Sequence, residues 1–345
     1  SDLLEVHFID VGQGDATLIK CDGHSMLIDA GNNDKGTLVQ NYLQHQGVET
    51  LDYVIGTHPD ADHIGGMDVV LYKFDCKTII MPDVANNTRT YDDVVQTMKN
   101  KGYKTTYPVV GETYTIGGAA FTIIAPNKEY GNDMNSWSVG VLLQNGNHRF
   151  LFTGDAEEGA EQDILQNGID ISADVYKVAH HGSNTATSQA FLDAVHPTYA
   201  VISAGEGNSY GHPHAEVLNR LRAAGVSVFR TDEQGTIVAS SDGTTLTWNM
   251  SPSESWQAGE AKKSQNTEKS EKAADSQNNA ETDAAVSNPT DQTDGNSDVI
   301  VHITKTGEKY HSAGCQYLRK SDIEVTLSEA KARGLTPCSK CNPPQ

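Results

Sequence analysis

The chain has 345 residues, with 25 Lys and Arg against 46 Asp and Glu and a formal net charge of −21 at pH 7. Hydrophobic residues make up 37% and aromatic residues 7%, which is low for one compact domain and fits a folded domain joined to polar segments. No run approaches the roughly 18–20 apolar residues of a membrane helix, so we expect no transmembrane segment in this chain. Five cysteines are too few, and odd in number, for a disulfide scaffold.

The charge and composition divide the chain into three parts. Residues 1–250 hold 14 basic against 32 acidic residues, residues 251–298 hold 4 against 10, and residues 299–345 hold 7 against 4. Apart from Trp256, the middle part is almost without large apolar residues, so it cannot bury enough surface to offset its ordering entropy. We therefore predict a core domain at 1–250, a disordered acidic linker at 251–298 and a small module at 299–345.

Short strand-like runs alternate with helical patterns along residues 1–250. The strand-like runs are rich in β-branched residues and bounded by Gly, Asp, Asn or Pro: Leu4–Ile9, Thr17–Ile19, Met26–Ile28, Tyr53–Ile55, Ile79–Met81, Phe121–Ile124, Val139–Leu143, Phe150–Phe152, Val175–Val178, Tyr199–Ile202, Val226–Phe229, Ile237–Ala239 and Leu246–Trp248. Helical spacing occurs at Leu38–Leu43, Tyr91–Met98, Glu157–Leu165, Ala190–Val195 and Val217–Leu221. Because helices flank the later strands, we predict an α/β fold in which helices cover sheets.

The densest group of candidate metal ligands is THPDADHIGG, residues Thr57–Gly66, which directly follows an apolar run. We expect its side chains to lie in a loop at a strand end. His58, Asp60, Asp62 and His63 place two imidazoles and two carboxylates within six positions, a set that suits Zn²⁺ or Mn²⁺. A lone His or Asp is more often a cap or a surface residue, whereas four such residues beside a Gly-Gly turn favour a metal site.

Further carboxylates and imidazoles follow other strand-like runs. Asp and Gly end strands for backbone reasons alone, so any one of these residues can be a turn residue without a role in a site. Together on one face of a sheet they are better explained as an active site. They are Asp10, Asp15, Asp29, Asp155, His180, His181, His212 and His214.

The order of these motifs resembles that of the metallo-β-lactamase superfamily, and the residues within each motif are most similar to those of the hydrolase domain of the ComEC competence proteins. The resemblance covers about residues 3–250 and implies a four-layer αββα sandwich with a metal site at one edge of the paired sheets. The matching phrases are His7–Ala16 (HFIDVGQGDA), Leu27–Gly31, Thr57–Gly66, Phe150–Asp155, Lys177–Ser183 (KVAHHGS) and Tyr210–Pro213 (YGHP).

The resemblance also implies a dinuclear ligand set. In it His58 and Asp60 resemble the ligands of one divalent metal, Asp62 and His63 those of the other, and Asp155 the carboxylate that bridges them. The superfamily's usual second His is replaced here by Asp60. The region where another metal-binding His is common, residues 132–138, contains no His, and the extra oxygen ligands favour Mn²⁺ over Zn²⁺.

The roles of the remaining residues stay open between alternatives. We prefer His181 as the last metal ligand, with His180 as the competitor and His212 as a second candidate or a proton donor. Asp62, His180 and His212 are therefore the candidate catalytic residues. The carboxylates of Asp10, Asp15 and Asp29 either orient ligand histidines or simply end strands.

The resemblance implies cleavage of nucleic-acid phosphodiesters by metal-activated water. The acidic composition of residues 1–250 argues against tight DNA binding by the core alone. A phosphocholine ester, a lactone or a β-lactam stays open as the substrate. So does a non-catalytic binding protein on this scaffold.

Residues 299–345 form their own pattern, with a strand candidate at Val299–Ile303 and a short helix at Ser328–Arg333 that stops at Gly334. A module this short can hardly bury a sufficient core, and a structural zinc is the usual remedy. Free thiols or a disulfide are the alternatives, and no thioredoxin-like pattern surrounds the Cys-x-x-Cys pair. The zinc ligands we expect are His311, Cys315, Cys338 and Cys341.

The spacing of these ligands resembles the zinc module of the Ada DNA-repair protein. His311 stands at the first ligand position, so the resemblance carries over no methyl-accepting thiol and no repair role. Basic side chains either contact phosphate or a cell surface, or are simply solvated. They are Lys305, Lys309, Arg319, Lys320, Lys331, Arg333 and Lys340.

Ser1 in place of Met indicates a processed or trimmed start. With the long hydrophilic linker and without the membrane channel of the ComEC family, this favours a secreted or cell-surface bacterial protein. A cytoplasmic location stays open. We expect a monomer.

Overall fold

The computed structural model describes residues 3–259, 300–304, 309–312, 315–318, 323–332, 335–338, 340–341 and 343. The chain divides into two compact units, Ser1–Thr267 and Glu268–Gln345. Within the described ranges, no helix combines the length and the apolar character needed to cross a membrane.

The first unit alternates short strands and helices. Its strands are β1 (Leu4–Phe8), β2 (Thr17–Cys21), β3 (His24–Ile28), β4 (Thr50–Ile55), β5 (Asp75–Ile80), β6 (Thr105–Thr106), β7 (Thr113–Ile116), β8 (Ala119–Ala125), β9 (Gly140–Asn145), β10 (His148–Phe152), β11 (Val175–Lys177), β12 (Tyr199–Ile202), β13 (Ser227–Arg230), β14 (Ile237–Ser241) and β15 (Leu246–Trp248). Its α-helices are α1 (Gly36–His45), α2 (Ala61–Ile64), α3 (Met67–Lys73), α4 (Arg89–Lys101), α5 (Glu158–Gln166), α6 (Gln189–Val195), α7 (Ala215–Ala223) and α8 (Thr231–Gln234).

The strands form two sheets. The 8-stranded sheet has the order β15-β14-β1-β2-β3-β4-β5-β6, and the 7-stranded sheet has the order β13-β12-β11-β10-β9-β8-β7. In the first sheet β3 to β6 are parallel, and β1 shares their direction because the intervening β2 is antiparallel to both neighbours. In the second sheet β10 to β13 are parallel. Each sheet therefore gathers several carboxyl ends at one edge.

The two sheets pack face to face, and helices cover their outer faces. Within β2, Ile19 belongs to the core between the sheets, whereas its neighbour Leu18 belongs to the core beneath the helices. The rings of Phe8 in β1 and Phe152 in β10 meet across the sheets with centroids 6.1 Å apart. Helices α1, α3 and α4 cover the first sheet, and α5, α6 and α7 cover the second. The four-layer αββα expectation is confirmed.

Residues 251–259, assigned to the linker by composition, are packed on the first unit. The backbone N–H of Ser253 donates to the Val228 carbonyl at 2.7 Å, and Trp256 packs against the core beneath the second sheet. The boundary at 250 therefore falls short of the packed chain. The rest of the expected linker, residues 260–298, lies outside the described residues.

The second unit contains a 4-stranded sheet in the order β18-β16-β17-β19. These strands are β16 (Ile300–Ile303), β17 (Lys309–His311), β18 (Ile323–Thr326) and β19 (Thr336–Pro337), and one helix, α9 (Leu327–Ala332), follows β18. The expected strand and helix are present, while Val299, Arg333 and Gly334 lie outside the described residues. Among the described residues of this unit, one buried apolar cluster contains Val301, Ile303, Tyr310, Val325, Leu327 and Ala330, and another contains Cys315, Leu318 and Cys338.

Candidate metal centre

The polar side chains of the motifs meet where strands of both sheets end. In the first sheet Asp15 follows β1, Asp29 follows β3, and His58 follows β4. In the second sheet Asp155 follows β10 and His181 follows β11. Because parallel strands present their carboxyl ends at the same edge, residues far apart in sequence are brought together here.

His58, His63 and Asp155 form the buried floor of this cluster. His58 Nε2, His63 Nε2 and Asp155 Oδ1 are buried atoms that make no hydrogen bond of regular geometry. Asp155 Oδ1 lies 3.1 Å from His63 Nε2, and Asp155 Oδ2 lies 3.8 Å from His58 Nε2. Buried polar atoms normally have partners, and imidazole nitrogens facing a shared carboxylate are the donor set of a divalent cation. The residues present therefore fit a metal.

Asp60, Asp62 and His181 complete the ring of donors. Asp60 Oδ2 lies 3.6 Å from His58 Nε2, on the more exposed side. His181 Nε2 lies 3.1 Å from Asp62 Oδ2 and 3.5 Å from Asp155 Oδ2. Asp155 thus presents one oxygen to His63 and the other to His58 and His181.

Asp29 orients His63 from behind the cluster. Its carboxylate accepts hydrogen bonds from the Thr57 N–H at 2.8 Å, from the Thr57 hydroxyl at 2.7 Å and from His63 Nδ1 at 2.7 Å. This contact fixes the proton on Nδ1 and turns Nε2 toward Asp155. Thr57, buried within the THPDADH motif, is a supporting residue that the sequence analysis missed.

A second buried carboxylate, Asp15, supports His181. Asp15 Oδ1 lies 3.2 Å from His181 Nδ1, and Asp15 Oδ2 accepts a hydrogen bond of 2.8 Å from Lys177 Nζ. The Ser203 carbonyl also lies 3.0 Å from His181 Nδ1. Lys177 is 3% exposed and belongs to the KVAHHGS motif. The sequence did not predict that this buried ammonium group pairs with Asp15 and so supports the cluster. Ligand-type atoms of Asp15, His63, Asp155 and His181 all lie within 4.8 Å of one another.

Charge pairing dominates the electrostatics of the cluster. Burial alone lowers the pKa of His63 and His181, but Asp155 and the other carboxylates outweigh it and raise the pKa of both well above its ordinary value. Burial likewise opposes ionisation of Asp62, and His63 and His181 lower the pKa of that carboxyl to about 2. The carboxylates are therefore ionised, and a divalent ion would replace the imidazole protons in balancing them.

His180 and His212 stand at the rim of the cluster. His180 Nε2 lies 3.7 Å from Asp155 Oδ2, and His180 Nδ1 lies 3.1 Å from Glu157 Oε1. His180 and His181 both have left-handed backbones, at φ 50° and 54°, conformations that bulky residues keep only where the surroundings impose them. The His212 ring lies 5.6 Å from that of His180, centroid to centroid. Burial, then His181 and His180, lower the pKa of His212 to about 4.

The structure bears on one alternative that the sequence left open and on one expectation about secondary structure. Asp10 Oδ1 accepts a hydrogen bond from the Gly12 N–H at 3.0 Å, so its place is that of a turn residue rather than a support of the cluster. Helix α2 carries Asp62 and His63, which corrects the expectation that the whole motif is loop. Residues 132–138 contribute Ser138, whose hydroxyl accepts from the Asp155 N–H at 3.0 Å and lies 3.3 Å from His58 Nδ1.

The second unit has its own metal-type group. One ligand-type atom from each of His311, Cys315, Cys338 and Cys341 lies within 4.8 Å of the others. All three thiols are free, which excludes a disulfide between them in this structure. Three thiols and an imidazole in a closed, mostly buried group fit a structural zinc module.

Comparison with known proteins gives the family. A profile of the Metallo-beta-lactamase superfamily matches residues 9–206. The chain belongs to this superfamily. The matched residues include His58, His63, Asp155 and His181, so these members of the cluster lie within the superfamily domain.

The superfamily relatives include competence proteins. ComE operon protein 3 of Bacillus subtilis is 31% identical over 68% of this chain and 32% of its own length. Recombination protein 2 of Haemophilus influenzae is 33% identical over 68% of this chain and 28% of its own length. Competence protein ComA of Neisseria gonorrhoeae is 29% identical over 66% of this chain and 31% of its own length. The chain thus spans about a third of the length of these relatives.

Solved structures include the metallo-beta-lactamase fold protein YhfI from Bacillus subtilis. It is 12% identical, with a TM-score of 0.47 over 71% of this chain and 99% of that protein. A putative metal-dependent hydrolase from Parabacteroides distasonis is 18% identical, with a TM-score of 0.43 over 67% of this chain and 94% of that protein.

Proposed function

We propose that the first unit of this metallo-β-lactamase-fold hydrolase is a metal-dependent phosphodiesterase that cleaves DNA. The observation that carries the proposal is the set of buried ligand atoms on His58, His63 and Asp155 that make no hydrogen bond of regular geometry, in a chain whose relatives are named as competence and recombination proteins. Competence and recombination concern DNA, and a two-metal site suits the displacement of a phosphodiester oxygen.

Each ligand has a part in this proposal. His58 and Asp60 would hold one divalent ion, Zn²⁺ or Mn²⁺, and Asp62, His63 and His181 would hold the other. Asp155 would serve both ions, because its Oδ2 faces His58 and His181 and its Oδ1 faces His63. When bound, such ions activate water and neutralise charge on a phosphoryl group.

The rim residues supply the proton chemistry. His180 and His212 lie beside the ligand cluster without being enclosed by it, and one of them donates a proton to the leaving oxygen of the ester. Glu157, 3.1 Å from His180 Nδ1, orients that ring. Asp62, at the edge of the cluster, positions the attacking water.

The second unit has a separate part in the proposal. Residues 1–250 carry a large acidic excess, which opposes tight DNA binding by the first unit alone. We assign the binding of DNA, or of a cell surface, to the zinc module, where Lys309, Lys331 and Lys340 are exposed. Lys305, Arg319, Lys320 and Arg333 lie outside the described residues. An extracellular or cell-surface location and a monomeric state belong to the same proposal.

Cleavage of DNA by the full chain tests the function. We expect Mn²⁺ or Zn²⁺ to support degradation of single-stranded or plasmid DNA, and Asp62→Ala to lower the rate by at least about 100-fold, the scale of a lost transition-state contact. Asp34→Ala is the matched control, because Asp34 is exposed and pairs only with Lys35 in the described contacts. Absence of cleavage with every divalent metal would refute a nuclease. Turnover of a lactone, a β-lactam or a phosphocholine ester instead would identify another hydrolase.

A further inference from the structure

Residues 251–259 form a strap, an extended segment that runs across the second-sheet side of the first unit and ends beside His212. It begins after β15 and forms an antiparallel bridge between Ser253 and Val228. The hydroxyls of Ser253 and Ser255 both donate to the Glu233 carboxylate, each at 2.5 Å. The first half of the strap is therefore fixed to β13 and α8.

The middle of the strap is fixed by buried contacts. Arg230, 2% exposed, donates from Nη1 to the Gln257 carbonyl and forms a two-point contact with the Asp232 carboxylate. Trp256 packs on the core beneath the second sheet, with the Arg222 guanidinium 5.8 Å from the centroid of its ring. The Trp256 backbone is left-handed, at φ 51°, and a bulky residue keeps that conformation only where its surroundings impose it.

The end of the strap contacts the loop that carries His212. The Gly259 N–H donates to the Pro213 carbonyl at 2.8 Å. A Cβ on Gly259 would lie 2.1 Å from the His212 carbonyl oxygen, so only glycine permits this approach. From within the loop, Asn208 donates to the same carbonyl at 2.7 Å and accepts from the His212 N–H at 3.0 Å.

The backbone of His212 is thus held from two sides, by Asn208 and by the strap. Its ring reaches the rim of the metal cluster, where it lies 6.1 Å from the His181 ring, centroid to centroid, and where Gln13 Nε2 lies 3.3 Å from His212 Nδ1. A displacement of Gly259 would therefore be transmitted to the His212 ring through one peptide unit.

We propose that the strap is a positioning element of the active site, which holds His212 at the rim through the Gly259–Pro213 contact. The segment that composition assigns to a linker is in this respect part of the hydrolase. Displacing a positioned group by about 1 Å can lower a rate by about 100-fold, so the strap's contribution is measurable in turnover.

The test compares two glycine substitutions in the full chain. Gly259→Ala places a methyl group against the His212 carbonyl, whereas Gly159→Ala, in α5, adds a methyl group with nothing within 4 Å. For Gly259→Ala we expect amide hydrogen exchange of residues 208–214 to accelerate by about tenfold or more, with metal content unchanged. Gly159→Ala should leave exchange there as in the native chain.

The kinetic arm depends on the proposed function, whereas the exchange arm does not. On DNA or a chromogenic phosphodiester, Gly259→Ala should lower kcat by at least about tenfold and leave KM within about twofold. Trp256→Ala should also lower kcat. Trp256→Phe keeps a ring beneath Arg222 and should retain most of the native kcat.

Unchanged exchange and turnover in Gly259→Ala would overturn the proposal. So would a loss of bound metal in Gly259→Ala and Trp256→Ala together, because the strap would then support the ligand cluster as a whole and not His212. Altered exchange without any measurable hydrolysis in the native chain would support the positioning role and refute the proposed activity.

Discussion

Asp29 orients a candidate metal ligand, His63, from outside the ligand cluster. Its carboxylate accepts from Thr57 twice and from His63 Nδ1 once, all at 2.7–2.8 Å. Its backbone is left-handed, at φ 58°, a conformation that Asn tolerates about as well as Asp. Asp29→Asn therefore removes the charge and replaces one of the two acceptor oxygens by a donor, while preserving the backbone.

We expect Asp29→Asn to weaken divalent-metal binding by about 10–100-fold, the usual cost of losing a carboxylate behind a ligand histidine. Competition with a chelating dye measures the affinity directly. Asp34→Asn, at an exposed carboxylate, is the control and should bind as the native chain does. Equal affinity in both variants would show that Asp29 only ends a strand.

The Lys177–Asp15 pair is a second residue-scale case, because both partners are buried, at 3% and 5% exposure. Burial raises the pKa of Asp15, but Lys177 and then His181 outweigh it and hold that pKa well below its usual range. Lys177→Met would leave the carboxylate buried without its cation, which costs about 3–5 kcal/mol of unfolding free energy.

Urea denaturation with a chelator present measures this cost independently of metal. Lys20→Met is the matched control, because Lys20 pairs with Glu5 at 3.6 Å with both side chains partly exposed, and such pairs contribute about 0–1 kcal/mol. Since the pKa of Asp15 is depressed, its contribution to stability is present above pH 4 or so and is lost as the pH falls. If the two variants denature at the same urea concentration, the buried pair is not structural.

At the scale of elements, sequence pattern located most strands and missed the short helices. Runs such as Leu4–Ile9 and Tyr199–Ile202 are β-branched and flanked by turn residues, and strands occur there. Helix α2 covers only four residues, too few for a 3.6-residue period to show. The Thr105–Thr106 strand has only two residues and is recognisable only from its pairing with β5.

The contact between the loop after β1 and helix α2 tests how elements position ligands. The Asp15 N–H donates to the Asp62 carbonyl at 3.1 Å, and a Cβ on Gly14 would lie 2.4 Å from that oxygen. Gly14→Ala must therefore shift α2, which carries Asp62 and His63. We expect at least about tenfold weaker metal binding and a lower urea midpoint.

Gly23→Ala is the control for this prediction. Gly23 also has a positive φ, of 78°, but a Cβ there meets nothing within 4 Å. Gly23→Ala should lower the free energy of unfolding by about 1–2 kcal/mol because of the left-handed backbone alone, and it should leave metal affinity unchanged. Gly14→Ala behaving in the same way would mean that the loop and helix move independently.

At the scale of the whole molecule, the sequence identified the ligand types but not all of their supports. His58 to His63 are adjacent in the chain, so their pattern is visible. Lys177 donates to Asp15, and the Ser138 hydroxyl lies beside His58 Nδ1, and only the stacking of the two sheets creates these contacts. The strap was misassigned because a polar composition predicts disorder, although Trp256 and Gly259 hold it through specific contacts.

The two units carry separate ligand sets, so their metals should be lost independently. We expect three divalent ions per chain, two in the first unit and one at His311, Cys315, Cys338 and Cys341. Asp155→Ala removes the carboxylate that we propose to bridge the two ions of the first unit and should leave one ion, whereas Cys338→Ser should leave two. Elemental analysis of the full chain by mass spectrometry counts them. Substitutions without shared partners are expected to act additively, so the double variant should hold none. A single substitution that strips all the metal would contradict separate sites.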